Sequence, residues 1–262
     1  MGTRKLYEKL YPFMMEHQIK MGRDALFDLL SAHHLLVRKR KKRIQTTQSY
    51  HWFRKYHNLI KGMEITTPNQ LWVSDITYWK IKEDHLYISF ITDAYSHKIV
   101  GYHVAETLET IESLQALKMA LSGLLNGPES HFQLTHHSDR GIQYCSNSYV
   151  KLLKENNIRI SMSENGDPLE NAIAERVNGI IKEEYLSDYE VGNIEQARQV
   201  LDFIIELYNN ERPHMSIGNL TPNQIHQTNI KTEKLWKNYY LKKPSTVNLL
   251  QDQELSVNLY QD

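Results

Sequence analysis

The sequence predicts an α/β fold: one mixed five-stranded sheet flanked by helices on both faces, with a small basic helical region in front of it. Three observations carry this. Residues 71–79, 85–93 and 98–104 are β-branched and aromatic runs separated by short polar turns, the pattern of a three-stranded meander. Beyond them, strand-like runs alternate with helical periodicity, as happens when helices pack on a sheet. The charge also changes sign along the chain. Residues 1–66 carry 14 Lys and Arg against 5 Asp and Glu, whereas residues 67–262 carry 17 against 26. A net charge of zero therefore hides a basic arm joined to an acidic globule, which points to a polyanion partner and to carboxylates gathered for a purpose.

The elements follow in order. Residues 4–16 place Leu6, Leu10 and Phe13 at helical spacing, and after Gly22 the run RDALFDLL repeats the pattern. The pair reads as a helix-turn-helix or as a plain helical hairpin. Arg38, Lys39, Arg40, Lys41, Lys42 and Arg43 form an unbroken basic block that cannot be buried cheaply. It is either a solvated linker or a set of phosphate contacts with steep salt dependence. Residues 44–66 interleave Tyr50, Trp52, Phe53 and Tyr56 with cations, which suits a nucleic-acid surface and equally a small core docked on the next domain. The three-stranded meander is followed by a helix over 108–125 with Thr107 as its N-cap, closed by Gly127-Pro128. A fourth strand is predicted over 131–138, a helix over 147–157, a fifth strand over 158–163, and helices over 168–188 and 194–210. The expected organisation is 1–37 as the helical region, 38–66 as a basic linker, 67–228 as the core and 229–262 as an extension. That extension holds two similar runs, VNLLQD and VNLYQD.

Composition excludes several classes. Cys145 is the single cysteine, so an internal disulfide and a multi-cysteine zinc site are ruled out, and a reducing cytoplasmic setting is expected. No apolar run approaches the ~20 residues of a membrane span. A secretory signal is not recognisable either.

The chemistry lies in the acids. Asp75 interrupts an apolar strand, where a carboxylate is costly unless paired, hydrogen-bonded or metal-bound. Asp139 ends the fourth strand, where functional groups collect or where an Asp caps a turn. On the helix from 168, Asn171, Glu175, Asn178 and Lys182 form one polar stripe opposite Leu169, Ile173, Val177, Ile180 and Ile181. Alone, such a stripe is an ordinary solvated face; beside two strand-borne aspartates it becomes the candidate third wall of a site. Three carboxylates make a hard oxygen-rich cage of the kind Mg²⁺ or Mn²⁺ prefers, and two such ions can clamp an in-line phosphoryl transfer. Lys182 is placed to meet a DNA phosphate or base. His137 is a weaker candidate, since a strand histidine is more often simply packed.

These residues carry a resemblance. WVSDITY around Asp75, HSDRGIQY around Asp139 and NGDPLENAIAERVNGIIK around Glu175 resemble the DDE integrase core of the insertion-sequence-3 transposases, the product of their second reading frame. Thirty-five residues separate Asp139 from Glu175, the interval typical of that family. TDAYSHKIVGY (92–102) and YNNERPHMSIGNLTP (208–222) match further family blocks in order. The resemblance implies a ribonuclease-H-like core that nicks and joins DNA with two Mg²⁺ or Mn²⁺ ions on Asp75, Asp139 and Glu175. It also implies transposon-end and target DNA as substrates, DNA contacts from residues 38–43, Asn171, Asn178 and Lys182, and a homo-multimer at the bacterial nucleoid. The first-reading-frame protein of the same element is a further expected partner. Two departures stand out: His97 replaces the family's usual Arg, which would weaken a phosphate contact, and the chain starts inside a basic helix, as if truncated. A non-catalytic DNA-binding regulator is the alternative reading, and a general nuclease or junction resolvase the third.

Overall fold

The computed structural model describes residues 2–36, 51–81, 85–125, 133–164, 171–228, 230 and 235. The basic block 38–43, Leu169, Gly127-Pro128 and both C-terminal VNL runs lie outside them.

Two helices open the chain, α1 (Thr3–Glu16) and α2 (Arg23–Ala32). The sheet is formed by β1 (Leu71–Lys80), β2 (His85–Asp93), β3 (Ile99–Ala105), β4 (Thr135–Ser138) and β5 (Arg159–Met162) in the order β3-β2-β1-β4-β5. The first three strands pair antiparallel, and β1–β4 and β4–β5 pair parallel, so the sheet is mixed as expected. Between and after the strands come α3 (Thr110–Leu125), α4 (Ile142–Cys145), α5 (Asn147–Glu155), α6 (Ala172–Glu184), α7 (Ile194–Glu211) and α8 (Pro222–Thr228). α3 starts three residues after Thr107, and α6 is shorter than predicted at both ends. The short α4 and α8 were not expected; a helix of one or two turns leaves almost no periodic signal.

Both sheet faces are covered, each by its own core. On one face Trp79, Ile88 and Phe90 pack against Val177, Ile180 and Ile181 of α6 and Leu201, Ile204 and Tyr208 of α7. On the other, Trp72, Ile91, Ile160 and Met162 meet Leu117 of α3 and Tyr149 and Leu153 of α5. Gly101 lets α3 approach β3 closely: a Cβ there would stand 2.2 Å from the Ala116 carbonyl oxygen. Residues 51–66 lie along the core, with Phe53 and Tyr56 packed against the α3–α5 side and Ile60 and Ile65 beside Leu71 and Val73. Among the described residues no helix is long and apolar enough to cross a membrane.

Candidate active site

Strand register brings the first two acids together. Val73 of β1 stands opposite His137 of β4 in the parallel pair, and Asp75 and Asp139 each lie two residues further on. Asp139 stands just past the end of β4, beside the strand that carries Asp75, and the two are near enough for the charge of Asp139 to act on the Asp75 carboxyl. α6 packs against β1 there. Glu175 lies in the first turn of α6.

The electrostatics show that the three acids sense one another. Burial first, then the charge of Asp139 and further that of Glu175, push the Asp75 carboxyl up to about 7. Hydrogen bonds from the Ile76 N–H (2.9 Å) and Asn178 Nδ2 (2.8 Å) pull the other way. Asp139 accepts the Gly141 N–H at 2.9 Å, which folds the loop after β4 back on itself. Tyr144 of α4 is buried nearby, and its phenol is raised well above the ordinary value by burial, by Tyr149 and by the charges of Asp75 and Asp139.

The polar stripe of α6 is not a solvated face. Asn171 and Asn178 are buried, 7% and 5% exposed. Asn171 Nδ2 donates to the Ser74 carbonyl oxygen at 3.0 Å, and Asn178 donates to Asp75. The two amides expected to touch DNA thus stitch α6 to β1 on either side of the acid. Helical periodicity places them on one face but does not say that the face looks at polar backbone. Lys182 rests its Nζ 3.1 Å from the centroid of the Tyr78 ring on β1. His137 is fully buried and bonded through Nδ1 to Ser161 Oγ at 2.8 Å, so it is a packing residue of the sheet.

Among the described residues no three acidic, histidine or cysteine side chains close around a single cation. The donor set still fits hard divalent ions. All donors are carboxylate oxygens, two of the acids act on the third, and their mutual repulsion is what a cation relieves. Mg²⁺ usually takes one or two protein carboxylates and completes its shell with water and substrate phosphate, so a pairwise, open arrangement suits it better than a closed cage.

Comparison with known proteins agrees with this geometry. Residues 65–168 and 156–222 each match an integrase core domain. The chain is 36% identical over 223 residues to the insertion element IS600 uncharacterized 31 kDa protein of Shigella sonnei, a match spanning 84% of this chain and 79% of that one. It is 30% identical over 221 residues to the transposase for insertion sequence element IS629 of Shigella sonnei, spanning 84% and 72%.

The chain belongs to the insertion-sequence-3 family of transposases.

Its fold resembles a chain of the simian T-cell lymphotropic virus intasome solved by cryo-EM in complex with PP2A regulatory subunit B56 gamma. The TM-score is 0.54 at 17% identity, covering 93% of this chain and 80% of that one. The transposase carries an integrase core built on a mixed five-stranded sheet flanked by helices, and its function is DNA transposition and integration by polynucleotidyl transfer.

Two further blocks of this transposase turn out to be one junction. Asn209 of α7 bonds both the N–H and the carbonyl oxygen of Ile99 at 3.0 Å, and the Tyr208 hydroxyl donates to the His97 carbonyl oxygen at 2.9 Å. His97 stacks on His214 with ring centroids 5.3 Å apart and bonds Ser216 Oγ at 3.1 Å. The residue in place of the family's Arg is therefore engaged inside the protein. Next to it Arg212, 2% exposed, forms a two-pronged pair with Glu184 at the end of α6 (2.8 and 2.9 Å). Despite burial, which alone would raise it, the Arg212 guanidinium holds Glu184 down at about 2. α1 docks on the same place: Lys5 Nζ donates to the Pro213 carbonyl oxygen at 2.8 Å, and Lys9 pairs with Glu211.

Proposed function

We propose that Asp75, Asp139 and Glu175 are the reaction centre of this transposase, at which 3′ ends of element DNA are nicked and joined to a target. The observation that carries the reading is a carboxyl on β1 that burial first, and then the charges of Asp139 at the end of β4 and Glu175 on α6, push up to about 7. When bound to these carboxylates, two Mg²⁺ or Mn²⁺ ions supply Lewis-acid activation of the attacking and leaving oxygens of an in-line phosphoryl transfer. The chain itself fixes the geometry. Asn178 and Ile76 each hold one oxygen of Asp75, the Gly141 N–H holds one of Asp139, and Asn171 locks α6 to the backbone of β1 at Ser74. Lys182, parked on Tyr78, lies on the same helix two turns beyond Glu175 and brings positive charge to the approaching phosphodiester.

In this reading residues 1–37 form the helical DNA-binding region, 38–66 a basic strap whose Arg38–Arg43 block neutralises phosphates, 67–228 the catalytic core and 229–262 a peripheral extension. Two DNA ends must be held together, which calls for a multimer of the chain acting at the bacterial nucleoid, alongside the first-frame product of the element.

Replacing Glu175 by Gln tests the assignment. The variant is expected to bind element-end DNA as the parent does and to lose strand transfer by ~10³-fold or more, since charge on the transferring phosphate is then left unbalanced. Full joining activity on pre-nicked ends with Mn²⁺ removes the acids from the mechanism.

A further inference from the structure

One aromatic side chain has no role in the scheme above. Trp52 is 84% exposed, the most open of the large apolar side chains described. It is nevertheless held in place: its ring stacks on Phe53 with centroids 4.3 Å apart, and Phe53 in turn packs on the core. Trp52 also sits beside the proposed reaction centre. The preceding residue, His51, donates from Nε2 to the carbonyl oxygen of Arg140 at 2.8 Å, and Arg140 directly follows Asp139. Further along the segment, the Leu59 N–H donates to Ser161 Oγ at 2.8 Å and the Asn58 N–H to Glu164 at 3.2 Å. These bonds tie the segment to the loop after β4 and to the β5 edge of the sheet.

The surroundings are cationic. The Arg54 guanidinium lies 5.3 Å from the centroid of the Tyr56 ring. Lys55 and Arg140 both act on the Cys145 thiol alongside Asp139, which places all three charges in one neighbourhood. Two buried atoms there, Arg140 Nε and His51 Nδ1, lack a hydrogen-bond partner among the described residues. Since His51 Nε2 carries the proton it gives to Arg140, Nδ1 of the neutral ring is an acceptor.

We propose that Trp52 is a stacking platform for an unpaired nucleobase at a DNA end, with Arg54, Lys55 and Arg140 flanking the strand that carries it; this rests on the reaction-centre reading given above. Inside a duplex both faces of a base are covered, so a fixed, exposed indole finds a partner only where a strand has frayed or been cut. A π-face is shared by all four bases, so the platform serves any end sequence. Its position one residue from a contact to Arg140 puts the unpaired base next to the scissile phosphate. The strap between the basic block and the core thus becomes part of the substrate groove rather than a spacer.

The test uses the full chain with Glu175→Gln, so that only binding is read. Two probes are compared: a short element-end duplex that is blunt, and the same duplex ending in an unpaired tail carrying 2-aminopurine. The chain with Trp52 intact is expected to prefer the tailed duplex by about tenfold, in the range of one base–aromatic stack, and to quench the 2-aminopurine. Trp52→Ala loses both the preference and the quench while its affinity for the blunt duplex is unchanged, and Trp52→Phe keeps most of both. The proposal is overturned if Trp52→Ala still quenches, if it weakens blunt and tailed DNA equally, or if its effect is to change the size of the DNA-free protein, which would make the indole a protein contact. None of these outcomes depends on catalysis, so they stand apart from the joining assay that tests the acids.

Discussion

Helix α6 carries two acidic sites that are treated in opposite ways. Near its start, Glu175 joins Asp75 and Asp139, and among the described residues no cation is paired with Asp75, whose carboxyl rises to about 7 through burial and like charge. At its end, Glu184 meets the buried Arg212 in a two-pronged pair that holds it near 2. Eight residues of one helix therefore separate a charge surplus from a charge balance. At Glu184 the protein supplies the counter-charge itself; at the proposed reaction centre the like charges are those an ion and a phosphodiester would balance. A buried carboxylate that stays unneutralised costs stability, and a structure keeps such a cost at sites of function.

The comparison is broken most forcefully at its balanced end. Arg212→Ala removes the guanidinium from the largely buried Glu184, and is expected to lower stability by about 3–5 kcal/mol in urea unfolding. The double variant Arg212→Met, Glu184→Leu recovers most of that loss. A single variant as stable as the parent would show that the pair does not hold α6 to α7.

pH sharpens the contrast next, because the two sites bend the stability curve in opposite senses. A carboxyl raised in the folded state binds a proton that the unfolded chain has already released. Asp75 therefore makes the metal-free protein lose stability as pH rises from about 4 to about 7. Glu184 contributes stability that is fully present above its unfolded value of 4.5 and lost as pH falls through about 2. In Asp75→Asn with chelator present, the decline between pH 4 and 7 disappears, and the melting temperature at pH 8 rises by roughly a few degrees. Mn²⁺ then no longer raises it. A parent-like slope in that variant would place the titrating group elsewhere.

The smallest effect is at Asn178. Its hydrogen bond lowers the Asp75 carboxyl against the other influences, so Asn178→Leu moves the acidic limb of the pH–rate profile upward, by about half a pH unit, with a several-fold loss of rate at neutral pH. A uniform loss at every pH would reduce the residue to a packing role.

The extent to which this was legible in the sequence differs from element to element. The strands over 71–80, 85–93 and 99–105 are legible because β-branched alternation is local; of the candidate acids only Asp75 stands inside an apolar run, whereas Asp139 is marked by a strand end and Glu175 by a polar stripe that reads equally as a solvated face. The register that sets Asp75 beside Asp139 is a pairing across 64 residues and leaves no local trace. The bonds that the α6 asparagines make to β1 are not legible, because periodicity reports which side of a helix is polar, not whether a strand waits there to be bonded. Arg212 escaped notice for the same reason: a charged residue at a helix end reads as exposed until its partner from another helix is seen.

The parallel pairing of β1 with β4 has a consequence during synthesis. The proposed centre draws on positions 75, 139 and 175, and β1 finds β4 only after more than half the chain has left the ribosome. A prematurely ended polypeptide lacking α6 carries the basic arm but an incomplete set of acids. In the proposed reading such a fragment keeps residues meant to hold DNA but lacks the centre that would cut it.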